Sequence, residues 1–301
     1  MKSLKYIYVA LVLAATGCST ENEEKATAEV EAPVTVSVSP FSISQEEFPD
    51  SEEQTTRATV AEYTSMKAIT LAFYKSDGTE QYKTTQFRSD ATTYTTFGEF
   101  STTLPLGNYT LVVIGYGQGS STHAVTLTSP TTAAFDDYVR ETFSATQAVE
   151  VNSKTPLNLT ATLNRIMAKV SVISTDGRTA AANSVRVSFS GGSKSFNPTT
   201  GLATDNSGFS NTVVVNSVTA GNTTNVGNAL FLTTDEQTMD ITIETLDADD
   251  NVIYTATVPS VTLKRNRVTT LTGAMYSVTA TATVGSFQIN TDWLTGTDVG
   301  F

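Results

Sequence analysis

The 301-residue sequence contains one cysteine, Cys18, and one histidine, His123. A single thiol excludes an intrachain disulfide. A single imidazole excludes the Cys/His sets that hold zinc, and the lone Cys and His stand in no nucleophile–base pattern. Charged residues are only 16% of the chain, with 18 basic side chains against 30 acidic ones. No basic stripe is present, which argues against a nucleic-acid partner. Long Leu/Ala/Glu/Lys runs of helical spacing are missing. Gly115, Gly117 and Gly119 follow an apolar run, but no lysine and no helix come after them, so they read as a bulge and turn, not a phosphate loop. The acidic run Asp247–Asn251 lacks the glycine and distal glutamate of a calcium loop and reads as a hairpin turn. No two carboxylates stand out as an acid/base pair for glycoside hydrolysis. The sequence therefore points to a non-enzyme that needs no cofactor and no metal.

What is present favours β structure. Thr, Ser, Asn and Gly supply a polar surface of low charge, and 39% of residues are hydrophobic, enough to bury a core. β-Branched side chains fit a pleated, half-buried surface. Met66–Tyr74 alternates Ile69, Leu71 and Phe73, and Asp77-Gly78 marks a hairpin turn. Tyr109–Tyr116 is apolar on both faces, the pattern of a central strand covered on two sides. Leu157–Val172 is open to a helical or a strand reading, with alternation favouring strands. Val185–Phe189, Ala229–Leu232, Met239–Leu246, Val252–Val258 and Val268–Tyr276 follow as strands. About seven strands per half, spaced by turn signals, give an all-β chain of two β-sandwiches. The expected division is 58–150 and 151–276.

The amino terminus is different. Lys2 and Lys5 precede an apolar stretch, Tyr6–Thr16, too short to span a bilayer. It ends at Ala15-Thr16-Gly17-Cys18, which resembles the lipobox of bacterial lipoproteins, with Ala15 where leucine is commoner. Cys18 is the expected lipid-attachment residue, closing a signal at 1–18 and anchoring the precursor to a membrane. Residues 19–57 carry ten acids against Lys25 and Arg57 and hold most of the net charge of −12.

Within that acidic segment Val34, Val36 and Val38 alternate with polar residues, Pro40 shifts the phase, and Phe41 and Ile43 continue it. The loop Gln45–Glu53 leads to Arg57-Ala58, an accessible protease site. Two readings follow: a first strand of a sandwich with an ordinary surface arginine, or a removable strand freed by cleavage after Arg57. The tail, 277–301, echoes the front strand. Ala280, Ala282 and Val284, then a shift, then Phe287 and Ile289, repeat the intervals at a constant offset. The tail is therefore the expected donor strand for the groove that the front strand vacates, by strand addition.

Three further stretches carry a family resemblance: Leu163-Asn164-Arg165-Ile166-Met167-Ala168-Lys169-Val170, Leu104-Pro105-Leu106-Gly107-Asn108-Tyr109-Thr110-Leu111-Val112, and Leu263-Lys264-Arg265-Asn266-Arg267 before Thr269–Gly273. With the lipobox, in this order, the chain resembles the fimbrillin family, the type V pilins of Bacteroides-type bacteria. The resemblance implies two transthyretin-like β-sandwich domains and export as a lipoprotein to the cell outer membrane. It further implies cleavage by an arginine-specific protease and polymerisation with other pilin subunits by donor-strand exchange. A surface adhesin that binds glycan or a host protein, with Trp293 its one aromatic platform, stands as the alternative. So does an anchor subunit of the pilus, which would keep the front segment.

Overall fold

The computed structural model describes residues 30–39, 60, 63–117, 121–277 and 288–290. Over these residues the chain is all-β, with twenty strands in five sheets and a single 3-10 turn at Ser121–His123. The architecture is consistent with β-sandwiches.

A three-stranded sheet contains β4 (Glu99–Pro105), β1 (Glu31–Ser39) and β9 (Leu157–Thr162). It faces a five-stranded sheet of order β10 (Asn164–Arg165), β8 (Thr142–Val151), β5 (Gly107–Tyr116), β2 (Ala68–Lys75) and β3 (Glu80–Phe87). Between them lies a first core that includes Val34, Val36, Leu71, Phe73, Leu104, Leu111 and Val113. Asp77-Gly78 makes the β2–β3 turn, with Gly78 at φ +84°, in the left-handed region that glycine tolerates.

The five-stranded sheet is covered on its other face too. Ala72, Tyr74, Val112, Ile114 and Tyr116 pack with Phe135, Phe196 and Phe231 in a separate core. That layer is built on a small sheet of β14 (Leu202–Ala203), β13 (Ser195–Asn197), β7 (Thr132–Ala134) and β6 (Thr126–Ser129). The double-sided apolar pattern of 109–116 thus marks a strand buried on both faces, as its composition predicts. Gly115 differs from expectation. Both ladders pass through it without a register shift, and a Cβ there would lie 2.6 Å from Met66 Cε. Close packing, not a bulge, calls for glycine at this point.

The remaining two sheets enclose another core. One is β16 (Asn225–Leu230), β11 (Ala168–Ser174), β19 (Val268–Gly273) and β20 (Gln288–Asn290). The other is β15 (Phe209–Val214), β12 (Ser184–Phe189), β17 (Glu236–Leu246) and β18 (Val252–Lys264). Val170, Val172, Val185, Val187, Ile241, Ile243 and Leu271 meet between them. The ambiguous stretch 157–172 resolves into β9, β10 and β11, three strands in three different sheets. β9 and Leu163 pack in the first core although they lie beyond residue 150.

Candidate functional site: the groove filled by the first strand

β1 is the middle strand of its sheet. It runs antiparallel to β4, with Val34 opposite Thr102 and Val36 opposite Phe100. It runs parallel to β9, with Val34 opposite Leu157, Val36 opposite Leu159 and Val38 opposite Ala161. Period-2 alternation sends Ala32, Val34, Val36 and Val38 into the first core, where each is buried. At about 1.5–3 kcal/mol per well-buried valine, the three valines contribute roughly 5–9 kcal/mol before entropy is counted. Two ladders of backbone hydrogen bonds add to this. β4 and β9 are joined to each other only through β1, so its place is a groove with two strand edges as walls.

Val34, Val36 and Val38 share the buried face of β1 with Ala32, which the sequence pattern does not single out because it sits beside an acidic residue and a proline. Phe41, Ile43, Cys18, Arg57 and Ala58 lie outside the described residues, as do Ala280, Ala282, Val284, Phe287 and Trp293. Ile289 belongs to β20, which pairs antiparallel with β19 in the same chain, Ile289 opposite Leu271. The structure does not bring Ile289 to the β1 groove.

The far end of the groove is closed by the segment that follows the expected cleavage point. Val60 is 2% exposed and belongs to the first core. A Cβ built on Gly98, at φ +94°, would lie 3.3 Å from Val60 Cγ1 and 3.7 Å from Val38 Cβ, and Val38 N–H donates to Gly98 O at 2.8 Å. Arg88 holds this segment by donating to three backbone carbonyls: Val60 O at 2.8 Å, Met66 O at 2.9 Å and Tyr63 O at 3.3 Å. Its guanidinium stacks 4.1 Å from the Phe97 ring centroid. Burial pulls the Arg88 pKa below its usual value.

A second fixing point is polar. Tyr63 Oη donates to the Glu141 carboxylate at 2.7 Å, and Arg165 Nη2 donates to Glu141 Oε1 at 2.6 Å. Arg165 also reaches Asn266 Oδ1 at 3.2 Å. Burial, reinforced by the Glu141 charge, pushes the Tyr63 phenol up to about 12. These contacts join the start of the body, β8, β10 and the turn before β19. Arg165 and Asn266 come from two of the three resemblance stretches, and nothing in their local sequence signals this meeting.

The root of the tail is also clamped. Asp176 accepts hydrogen bonds from the backbone N–H groups of Met275, Tyr276 and Ser277 at 2.7–2.9 Å and from Ser277 Oγ at 2.8 Å. Burial works against its charge, but these four donors prevail and hold its pKa below the usual carboxylate range.

His123 stands near two carboxylates, with Nδ1 3.3 Å from Asp136 Oδ1 and 3.4 Å from Asp137 Oδ2. Among the described residues this is the one cluster with the composition of a metal site. Asp137, however, accepts a hydrogen bond on each oxygen from Arg140 at 2.6 Å, so its charge is already paired with a guanidinium. At Asp247 the carboxylate accepts from the backbone N–H groups of Asp249 and Asn251, and Asp250 takes φ +62°. That is a hairpin turn, as its spacing predicts.

Comparison with known proteins places the fold. No curated protein sequence matches the chain. Among solved structures, an adhesin candidate from Bacteroides ovatus aligns with a TM-score of 0.50 at 8% identity, covering 86% of this chain and 96% of that one. The fimbrial anchor protein Mfa2 from Porphyromonas gingivalis aligns at 0.47 and 13%, covering 87% and 98%. A fimbrial assembly protein from Parabacteroides distasonis aligns at 0.42 and 12%, covering 87% and 96%. At these identities the likeness concerns fold. Residues 27–295 match the model of a family of unknown function, DUF6562, and the chain belongs to that family.

Proposed function

We propose that the chain is a cell-surface protein of the fimbrial and adhesin type, a structural subunit and not an enzyme. In this reading it is built as two transthyretin-like β-sandwiches and exported as a lipoprotein through Cys18. Its first strand fills an acceptor groove until cleavage after Arg57 frees the groove for another subunit. One observation carries the reading: β1 is a central strand, not an edge, and its covalent link to the strands it pairs with runs through Arg57. Cutting that connection removes the covalent tether of β1, while Arg88 and the Tyr63–Glu141 contact retain the segment behind the cut. The vacated edges of β4 and β9 can then receive an extended strand, the mode of β-augmentation.

The test uses the full chain and an arginine-specific protease. Cleavage is expected to give a new amino terminus at Ala58, read by mass spectrometry. The cut chain is expected to take up a labelled peptide of residues 30–44, and the uncut chain and the Arg57→Ala variant to take up none. A cut chain that binds no peptide sinks the reading.

The second reading is a surface adhesin or pilus anchor that keeps β1. The pairing of β20 with β19 favours it, because residues Gln288–Asn290 of the tail are engaged within their own chain. Mature protein from cells would then carry a lipidated Cys18 instead of a free Ala58.

A further inference from the structure

The first sandwich is open on one flank. β3 and β4 are edge strands, one from each of its two sheets, and neither has a partner on its outer side among the described residues. Between them, with the loop that joins them, lies a cleft of about 370 Å³.

The inward face of β3 is unusually polar. Tyr82, Thr84 and Gln86 stand opposite Phe73, Leu71 and Ile69 of β2, the row that faces the first core. Gln86 has a structural role. Its amide donates to Glu99 O at 2.6 Å and accepts from Gly98 N–H at 2.8 Å, which ties β3 to the start of β4. Thr84 and Tyr82 have no such role. Both line the cleft, and neither hydroxyl makes a hydrogen bond among the described residues. The same holds on the facing strand for Ser101 Oγ and the Glu99 carboxylate.

Two aromatic rings complete the lining. Tyr82 and Tyr94 pack against the first core and also border the cleft. Tyr94 is set in place by the Phe97 ring, 5.7 Å between centroids, and by donating to Arg88 O at 3.3 Å. Among the described residues no lysine or arginine lines the cleft, and Glu99 is its single charge.

These features discriminate between ligands. An anion would meet a carboxylate and no base. An extended peptide laid on a strand edge draws specificity from pockets for alternate side chains, and this lining offers mainly hydroxyls. A neutral saccharide suits both halves of the cleft. Its C–H faces can lie on tyrosine rings, and its hydroxyls can donate to Glu99 and exchange hydrogen bonds with Thr84 and Ser101. The volume lies in the range of small-ligand sites.

We infer that this cleft binds a neutral oligosaccharide, with Tyr82 and Tyr94 as stacking surfaces and Glu99, Thr84 and Ser101 as partners for its hydroxyls. The cleft lies on the side of β4 away from β1. The inference is therefore separate from strand exchange and needs no cleavage.

The uncut full chain tests it on an array of neutral and sialylated oligosaccharides, followed by calorimetric titration of the tightest neutral binder. Neutral members are expected to bind. Tyr82→Ala, Thr84→Val and Glu99→Gln are each expected to weaken binding roughly tenfold. Thr84→Val and Glu99→Gln conserve side-chain shape, so they decide the matter even where Tyr82→Ala, which also removes core contact, fails to fold. Thr160→Val, on β9 at the other edge of the sheet, is expected to leave affinity unchanged. Binding to no neutral saccharide overturns the inference, as does a preference for sialylated members. Affinity that survives both Thr84→Val and Glu99→Gln, or that falls equally with Thr160→Val, overturns it too. A labelled peptide of residues 30–39 taken up by the uncut chain and lost with Thr84→Val would assign these edges to strand addition instead. Failure on any of these counts leaves the strand-exchange reading untouched.

Discussion

Asp137 is stabilised by remaining charged. Burial opposes its ionisation, but the paired hydrogen bonds from Arg140, the Tyr138 N–H and the positive charge beside it lower its pKa to about 2. A depressed carboxylate pKa contributes stability above the unfolded value, near 4, and that contribution is lost as pH falls toward about 2. Because the side chain is a quarter exposed, solvent screening leaves about 1 kcal/mol. Asp137→Asn is expected to lower the unfolding free energy at pH 7 by that amount, read from a lower urea midpoint, and to unfold together with the native chain at pH 2. The same residue marks a limit of sequence reading. His123 stands alone in the chain, and its neighbours Asp136 and Asp137 come from a segment thirteen positions on, brought close by the β6–β7 hairpin between them.

Among the elements, β5 shows most clearly what an apolar run means. Val113 faces the first core and Val112 the core built on Phe135, Phe196 and Phe231. Both valines are fully buried. Val112→Ala and Val113→Ala are each expected to cost about 2 kcal/mol, from two lost methyl equivalents plus a residual cavity. Chemical denaturation of the two variants checks it. A sheet covered on one side would make one of the pair nearly neutral. Alternation in β1 is equally readable, because burying one face of a strand fixes which residues alternate. Ala32 escaped notice because Glu31 and Pro33 disguise the start of the strand, and burial there depends on β4. In 157–172 the alternation identifies strands but cannot assign them. Period 2 records which face is buried and carries nothing about the partner strand.

At the scale of the whole molecule, the aromatic layer links segments distant in sequence. Phe196 and Phe231 have ring centroids 4.3 Å apart, and Phe135 lies parallel to Phe231 at 6.4 Å. Ile166, Met167 and Ala229 join this core from the strands and turns leading to the third core. Phe231→Ala is expected to cost about 3–5 kcal/mol, read from urea unfolding. It should affect the first 150 residues as much as the later ones, since the rings cover β2 and β5.

The sequence alone determined the class of this protein. Scarce charge, abundant β-branched residues, regular turns and the lack of Cys/His sets leave an all-β chain with no catalytic pattern. Alternating valines named most of the residues that fill the groove, because burial of one face of a strand is a local property. The tertiary structure decided that β1 is a central strand between β4 and β9, that Val60 and Arg88 close its far end, and that Ala32 is buried with the valines. Those facts depend on which strands meet and how much space lies between them. Both are set by contacts between segments separated in the chain, more than sixty residues apart for β1 with β4 and β9, which no local pattern records.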